Sequence, residues 1–140
     1  MDGKSMDATV RERWKDSVHF VSYLGIEYGF LEDGRAEMYL DLRPELLNSG
    51  GMAHGGVLAS LADCVGGAAA YSIIPADRMA VTTDLHLTCL GNIQRGRITA
   101  RGELVHRGQR FINAGVELLA GDRLLARGSV SFMVIERAVT

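Results

Sequence analysis

VLASLADCVGGAAAYSII, residues 57–74, decides the architecture of this chain. The run is about 18 residues long, near the lower limit for a membrane span, but it carries Asp63 and two glycines, and such features disfavour a lipid environment. It reads instead as a buried helix stopped by Pro75, since proline can neither donate a helical hydrogen bond nor follow an α residue without clash. Its residues are apolar or small nearly all round, and a helix without a wet face must be enclosed by other elements. Gly66, Gly67 and Ala68 to Ala70 are small enough to let a sheet approach closely.

Around that helix the chain alternates with a period of two. Before it, Ala36, Met38, Leu40 and Leu42 face one way and Glu37, Tyr39, Asp41 and Arg43 the other, a strand with one wet face. Asp33-Gly34 has the chemistry of a type I′ turn and predicts a preceding strand over residues 25–31. After it come four alternating runs, 79–89, 95–106, 110–120 and 123–134, with no helical pattern between them. In the last, Leu124, Ala126, Gly128, Val130, Phe132 and Val134 share a face. Gly108-Gln109 and Gly121-Asp122 fit two-residue type II′ loops, which make consecutive strands antiparallel. The layout predicted is α+β, an antiparallel sheet of five to six strands wrapped around one long central helix. Val10, Trp14 and Val18 stand at helical spacing, so residues 8–20 predict a short helix within an N-terminal segment of about 1–24.

With 140 residues the chain suits one domain, 1–140. A net charge of −2 argues against nucleic-acid binding, so any anionic ligand must meet a local basic patch. The first 15 residues mix both charge signs and lack the apolar stretch of a secretory signal. Cys64 and Cys89 lie in apolar segments without CxxC spacing and read as reduced core thiols of a cytoplasmic protein. No metal or cofactor is expected, and no membrane partner.

The chemistry concentrates at the helix entry. Asn48-Ser-Gly-Gly-Met-Ala-His54-Gly55-Gly56 places glycine N–H groups at the positive end of the helix dipole, which suits an oxyanion, although the same glycines also read as a tight turn alone. Neither GxGxxG nor GxxxxGK[ST] spacing is present. Asp63 is the only charged side chain in the helix, and a buried unpaired charge costs several kcal/mol, so it reads as a nucleophile or general base, or else as an acid satisfied by local hydrogen bonds. His54 reads as structural, since no second histidine stands at ligand spacing. A triad through Ser60 lacks the GxSxG elbow. Arg95, Arg97, Arg101 and Arg107 share one parity, a row that suits phosphates or, equally, a solvated strand face. Strict alternation puts Thr83 with Leu85 and Leu87, and Thr82 with Asp84 and His86.

Asp63 lies eight residues beyond Gly55, roughly 12 Å along one helix at 1.5 Å per residue. An attacking atom must stand at about 3 to 3.5 Å from its carbonyl. One helix therefore hardly supplies both groups, whereas two antiparallel copies related by a two-fold axis near Ala59 would.

The stretch from Asn48 to Asp63, with 81-VTTDLHLT-88, 105-VHRGQR-110 and 125-LARGSVSF-132, resembles the hotdog-fold acyl-CoA thioesterases of the phenylacetate-degradation (PaaI-like) branch of the 4-hydroxybenzoyl-CoA thioesterase superfamily. The resemblance covers residues 25–134. It implies thioester hydrolysis of an aryl-acetyl, aromatic or medium-chain acyl-CoA, with Asp63 as nucleophile or general base and the Gly55 N–H polarising the carbonyl. It further implies that Asn48 helps place water or thioester and that Thr82 binds near the water, with His54, Gly56 and Thr83 supporting. Arg95, Arg97, Arg101, Arg107 and Arg110 are the candidates for CoA contact. The family's sites lie between subunits, implying a homodimer with shared sites, paired into a homotetramer. A non-catalytic acyl-CoA-binding protein and an acyl-thioester hydratase or dehydratase are the alternatives.

Overall fold

The computed structural model describes residues 20–137, so the helix expected over 8–20 lies, but for Phe20, outside the described residues. In chain order the elements are α1 (Phe20–Leu24), β1 (Glu27–Glu32), β2 (Arg35–Asp41), a 3-10 turn (Pro44–Leu46), α2 (Gly55–Tyr71), β3 (Arg78–Cys89), β4 (Arg97–Arg107), β5 (Phe111–Ala120) and β6 (Arg123–Glu136). The six strands form one antiparallel sheet in the order β1-β2-β4-β5-β6-β3, so β1 and β3 are its edges. The α+β reading with a single long helix in the domain body holds.

The sheet packs its inner face on α2. Ala36, Met38 and Leu40 of β2, Ile98 and Ala100 of β4, and Ile112, Ala114 and Leu118 of β5 are buried with Leu58, Leu61, Ala62, Val65, Ala68 and Ala69 of the helix. Small residues make the approach possible, as a Cβ on Gly102 would lie 2.8 Å from the Val65 carbonyl oxygen. Burial on this scale, about 25 cal/mol per Å² of apolar surface, is what holds the layers together.

α2 runs from Gly55 rather than Val57, and it ends at Tyr71, short of Pro75. Ser72 closes it: its hydroxyl donates to the Ala69 carbonyl at 2.6 Å and accepts from the Gly34 N–H at 2.7 Å, fastening the helix end to the β1–β2 turn. That turn has the expected type I′ form, with φ of 45° at Asp33 and 81° at Gly34. Gly121 at φ 63° likewise fits a type II′ loop with Asp122. Gly108 does not. It pairs with Phe111 through an N–H to carbonyl bond of 2.9 Å, leaving Gln109-Arg110 as the turn, and its φ is not positive. Space explains this glycine, because a Cβ there would sit 2.5 Å from the Phe111 carbonyl oxygen. In β6 it is Leu125, not Leu124, that joins Ala126 in the core, next to an irregularity in the β5–β6 register at Leu118/Leu119.

The described residues leave one stripe of the helix open: Gly55 and Gly56 are exposed, and Ala59, Ser60, Asp63 and Gly67 are only half-buried. Beside this open stripe runs the edge strand β3, whose residues Val81 and Leu85 are 41% and 37% exposed. Among the described residues no helix is long and apolar enough to cross a membrane.

Candidate active site

The loop entering α2 is fixed by hydrogen bonds to two segments. The His54 N–H donates to the Leu46 carbonyl, the Ala53 N–H donates to the Ile93 carbonyl, and the Asn92 side-chain amide donates to the Ala53 carbonyl at 3.0 Å. Asn92 escaped the sequence reading because it lies in an irregular stretch, 90–96, with no periodicity to give its direction. Asn48 organises the same loop from its other end: its side-chain oxygen accepts from Gly50 N–H at 2.9 Å and Met52 N–H at 3.1 Å, while its backbone N–H donates to the Met52 carbonyl.

His54 is the N-cap of α2, and its Nδ1 accepts from the Gly56 N–H at 2.8 Å. A ring nitrogen that accepts is unprotonated, so the neutral imidazole carries its hydrogen on Nε2. The Gly56 donor is thus committed. Among the described residues no acceptor reaches the Gly55 N–H, which is left at the positive end of the helix dipole. A Cβ on Gly55 would meet nothing within 4 Å, and its φ is not positive, so the chain's own packing makes no demand for glycine here. Ser60 is engaged one turn along, its hydroxyl donating to the Gly56 carbonyl at 2.7 Å rather than to any histidine, so no triad forms.

Two turns into the helix, the Asp63 carboxylate accepts a 2.7 Å hydrogen bond from the Thr82 hydroxyl. Alternation alone puts Thr82 on the outer face. The β3–β6 register shifts between Thr82 and Asp84, making Thr83 the extra residue of a β-bulge. The bulge reverses parity, so Thr82 joins Ala80, Leu85 and Leu87 on the helix side. Cys64, the neighbour of Asp63, is held as a thiol: burial, reinforced by the Asp63 charge, pushes its pKa up to about 12. Burial also raises the Tyr28 phenol, with Cys64 adding to the effect. Beside Asp63 and Thr82 opens a recess of about 160 Å³ walled by Val21, Tyr28, Gly67, Tyr71, Ala80 and Phe132. The Tyr71 hydroxyl accepts from the Ala80 N–H at 3.1 Å and ties β3 to the helix at its rim.

The arginine row divides. Arg97 pairs with Asp41 at 2.8 Å and Glu27 at 3.3 Å, Arg101 with Glu37 at 3.1 Å, and Arg107 with Asp33 at 3.0 Å. The Arg97 guanidinium holds the Asp41 carboxyl below its usual pKa. Asp41 and Glu37 are the direct cross-strand partners of Arg97 and Arg101, on the outer face of the sheet opposite α2. A groove of about 490 Å³ on that outer face, with Glu37, Arg101, Glu103, Glu117 and Arg127 among its lining, is equally remote from Asp63. Arg95 and Arg110 have no carboxylate partner among the described residues. Arg95 stands two residues beyond Ile93 at the helix entry, and the Arg110 carbonyl accepts from Val134, which pairs with Ala80 two residues before Thr82. No group of three or more histidine, cysteine or acidic side chains able to hold a metal occurs among the described residues.

Comparison with known proteins follows the same lines. Conserved protein PA5202 of Pseudomonas aeruginosa superposes with a TM-score of 0.83 at 30% identity, over 88% of this chain and 98% of that one. The N33D mutant of the phenylacetic acid degradation protein PaaI from Thermus thermophilus gives 0.75 at 27% identity, over 81% and 96%. A Saccharolobus solfataricus protein whose name assigns it provisionally to the esterases is 27% identical over 128 residues, 91% of either chain. A thioesterase family protein from Silicibacter pomeroyi, at 23% identity and a TM-score of 0.85 over 91% and 96%, shares the hotdog fold. Residues 50–127, from the glycine-rich entry through most of the sheet, match the profile of one family. This chain is a hotdog-fold member of the thioesterase superfamily.

Proposed function

We propose that this single hotdog domain hydrolyses acyl-CoA thioesters to a free acid and CoA, at a site shared by two antiparallel chains. The observation that carries the reading is the Asp63 carboxylate, held by Thr82 at the mouth of an apolar recess on the open face of α2. The Gly55 N–H of the facing subunit binds the carbonyl oxygen, and its hydrogen bond strengthens as that oxygen becomes an oxyanion. Asp63 takes a proton from water, whose oxygen attacks the carbonyl carbon; collapse of the tetrahedral intermediate expels the CoA thiolate, and the proton passes to solvent or thiolate. The direct attack of Asp63, giving a mixed anhydride that water then opens, uses the same placement. His54 keeps the helix entry in shape, and Asn48 holds the loop that precedes it.

Two features support the pairing of chains. The open helix stripe and the exposed edge strand β3 lie side by side, and an unpaired edge offers a row of free N–H and carbonyl groups. The helix is also too long for one copy to bring Gly55 to Asp63. Arg95, two residues beyond Ile93 at the helix entry, and Arg110, across β6 from Ala80, are the cations left to meet the phosphates of CoA in such a pair. Arg97 and Arg101 serve the outer sheet face, while the β4–β5 register shift at Leu104/His106 turns Arg107 opposite Ile112, where it holds the Asp33 turn. Two such dimers joining by other surfaces would give the homotetramer.

The test is thiol release from a panel of acyl-CoA thioesters by wild type and Asp63→Ala. Turnover by the wild type and a loss of about 100-fold or more in kcat for the variant are expected. Tight binding of acyl-CoA without thiol release would identify a binding protein instead, and addition of water to an enoyl-CoA with the thioester intact would identify a hydratase.

A further inference from the structure

Gly66 and Gly67 sit together in the middle of α2, where glycine is a poor helix former. Packing accounts for the first: a Cβ on Gly66 would lie 3.3 Å from the Val130 Cβ, tighter than side chains ordinarily allow. It does not account for the second. A Cβ on Gly67 would come no nearer than 3.8 Å to the Phe132 ring, an ordinary contact, and Gly67 does not have a positive φ. An alanine would fit among the described residues and make a better helix.

What Gly67 does border is the recess beside Asp63. It stands four residues beyond the aspartate, on the same helix face one turn along. The space therefore begins at the carboxylate and runs along the helix between Gly67 and the walls formed by Tyr28, Tyr71, Ala80 and Phe132.

We propose that this recess receives the acyl group, and that Gly67, by lacking a side chain, sets the longest acyl group the enzyme accepts. The inference rests on the assignment of Asp63 above and adds the substrate class. The recess is open on one side, and its volume of about 160 Å³, beside the enclosed apolar cavity of about 150 Å³ that holds one benzene molecule, sets the scale of the acyl group at roughly six carbons. Among the described residues the walls are apolar or phenolic, no lysine, arginine or histidine lines the recess, and Asp63 stands at its mouth. Acyl groups ending in a carboxylate would be buried there without a counter-charge and beside a like charge. Compact, uncharged acyl groups are the class that fits.

The experiment measures kcat/KM for acetyl-, butyryl-, hexanoyl-, decanoyl- and succinyl-CoA with wild type, Gly67→Ala and Gly67→Val, together with each variant's mass in solution. The ratio of hexanoyl to acetyl cancels any difference in folded fraction. Wild type should rise to hexanoyl and fall at decanoyl and succinyl. Gly67→Val should lower the hexanoyl-to-acetyl ratio by about 10-fold or more, as a methylene without its pocket shifts discrimination by about 10–200-fold. Gly67→Ala should fall between. An unchanged ratio in both variants, or decanoyl turned over as fast as hexanoyl by wild type, overturns the proposal. Equal loss on every substrate with an altered solution mass also overturns it, making Gly67 a residue of subunit packing. Asp63→Asn separates the two levels: if it retains turnover, the Asp63 reading falls; if it is inactive while the Gly67 ratio stays fixed, only the acyl-group assignment falls.

Discussion

Gly55→Pro removes one hydrogen-bond donor and little else. Gly55 is the first residue of α2, the position where proline is over-represented because its missing N–H would have no intrahelical partner. The residue before a proline must avoid the α region, and His54 already has φ −64° and ψ 136°. The Gly55 N–H has no acceptor among the described residues, and a Cβ there would meet nothing within 4 Å. The substitution therefore breaks no described hydrogen bond, and the restriction it places on the unfolded chain stabilises by about 0.4–1 kcal/mol where the native backbone is compatible. Thermal unfolding should show a melting temperature equal to or slightly above wild type. Loss of an oxyanion donor, by contrast, is worth about 2.7–4 kcal/mol in the transition state, or roughly 10²- to 10³-fold in kcat. Steady-state thiol release is the assay, and Gly55→Ala, which keeps the N–H and adds only a Cβ, is its control. The reasoning fails if Gly55→Pro retains wild-type kcat, or if alanine and proline lose activity equally, since crowding rather than the donor would then be responsible.

Mixing inactive Asp63→Asn and Gly55→Pro proteins should restore activity, because a hybrid dimer has one site with both intact groups and one with neither. Random exchange puts about half of the dimers in hybrid form, so recovery tops out near a quarter of wild type per chain; no recovery after mass spectrometry confirms exchange would mean that each chain builds its site alone. Thr82→Val should lower kcat by about 10-fold, the low end for a bond to an ionised group worth about 1.5–3 kcal/mol, as the pair is partly open to water. Thr83→Val should stay near wild type, and the reverse ranking would place the wrong threonine at the carboxylate.

Much of this protein was legible from its residues because the signals were local. The eighteen-residue apolar run, the alternation on either side of it and the positive-φ chemistry of Asp33-Gly34 and Gly121-Asp122 are short-range properties, and each corresponds to an observed element. So is the spacing of Gly55 and Asp63, which limits what one helix can do. What the sequence left open depended on contacts between distant segments. Alternation could not reveal the bulge at Thr83, because an extra residue shows only against the partner strand β6, and its effect is to turn Thr82 onto Asp63. The arginine row read as phosphate ligands or as a wet strand face until the sheet order placed Asp41 and Glu37 opposite Arg97 and Arg101. Gly108 looked like a turn residue, but the Phe111 carbonyl three residues on decides its role through space rather than handedness. The open stripe on α2 is of the same kind, since an apolar helix implies enclosure without saying by what. Six strands cover one side of it, and the side that carries Asp63 and Gly67 is left open among the described residues.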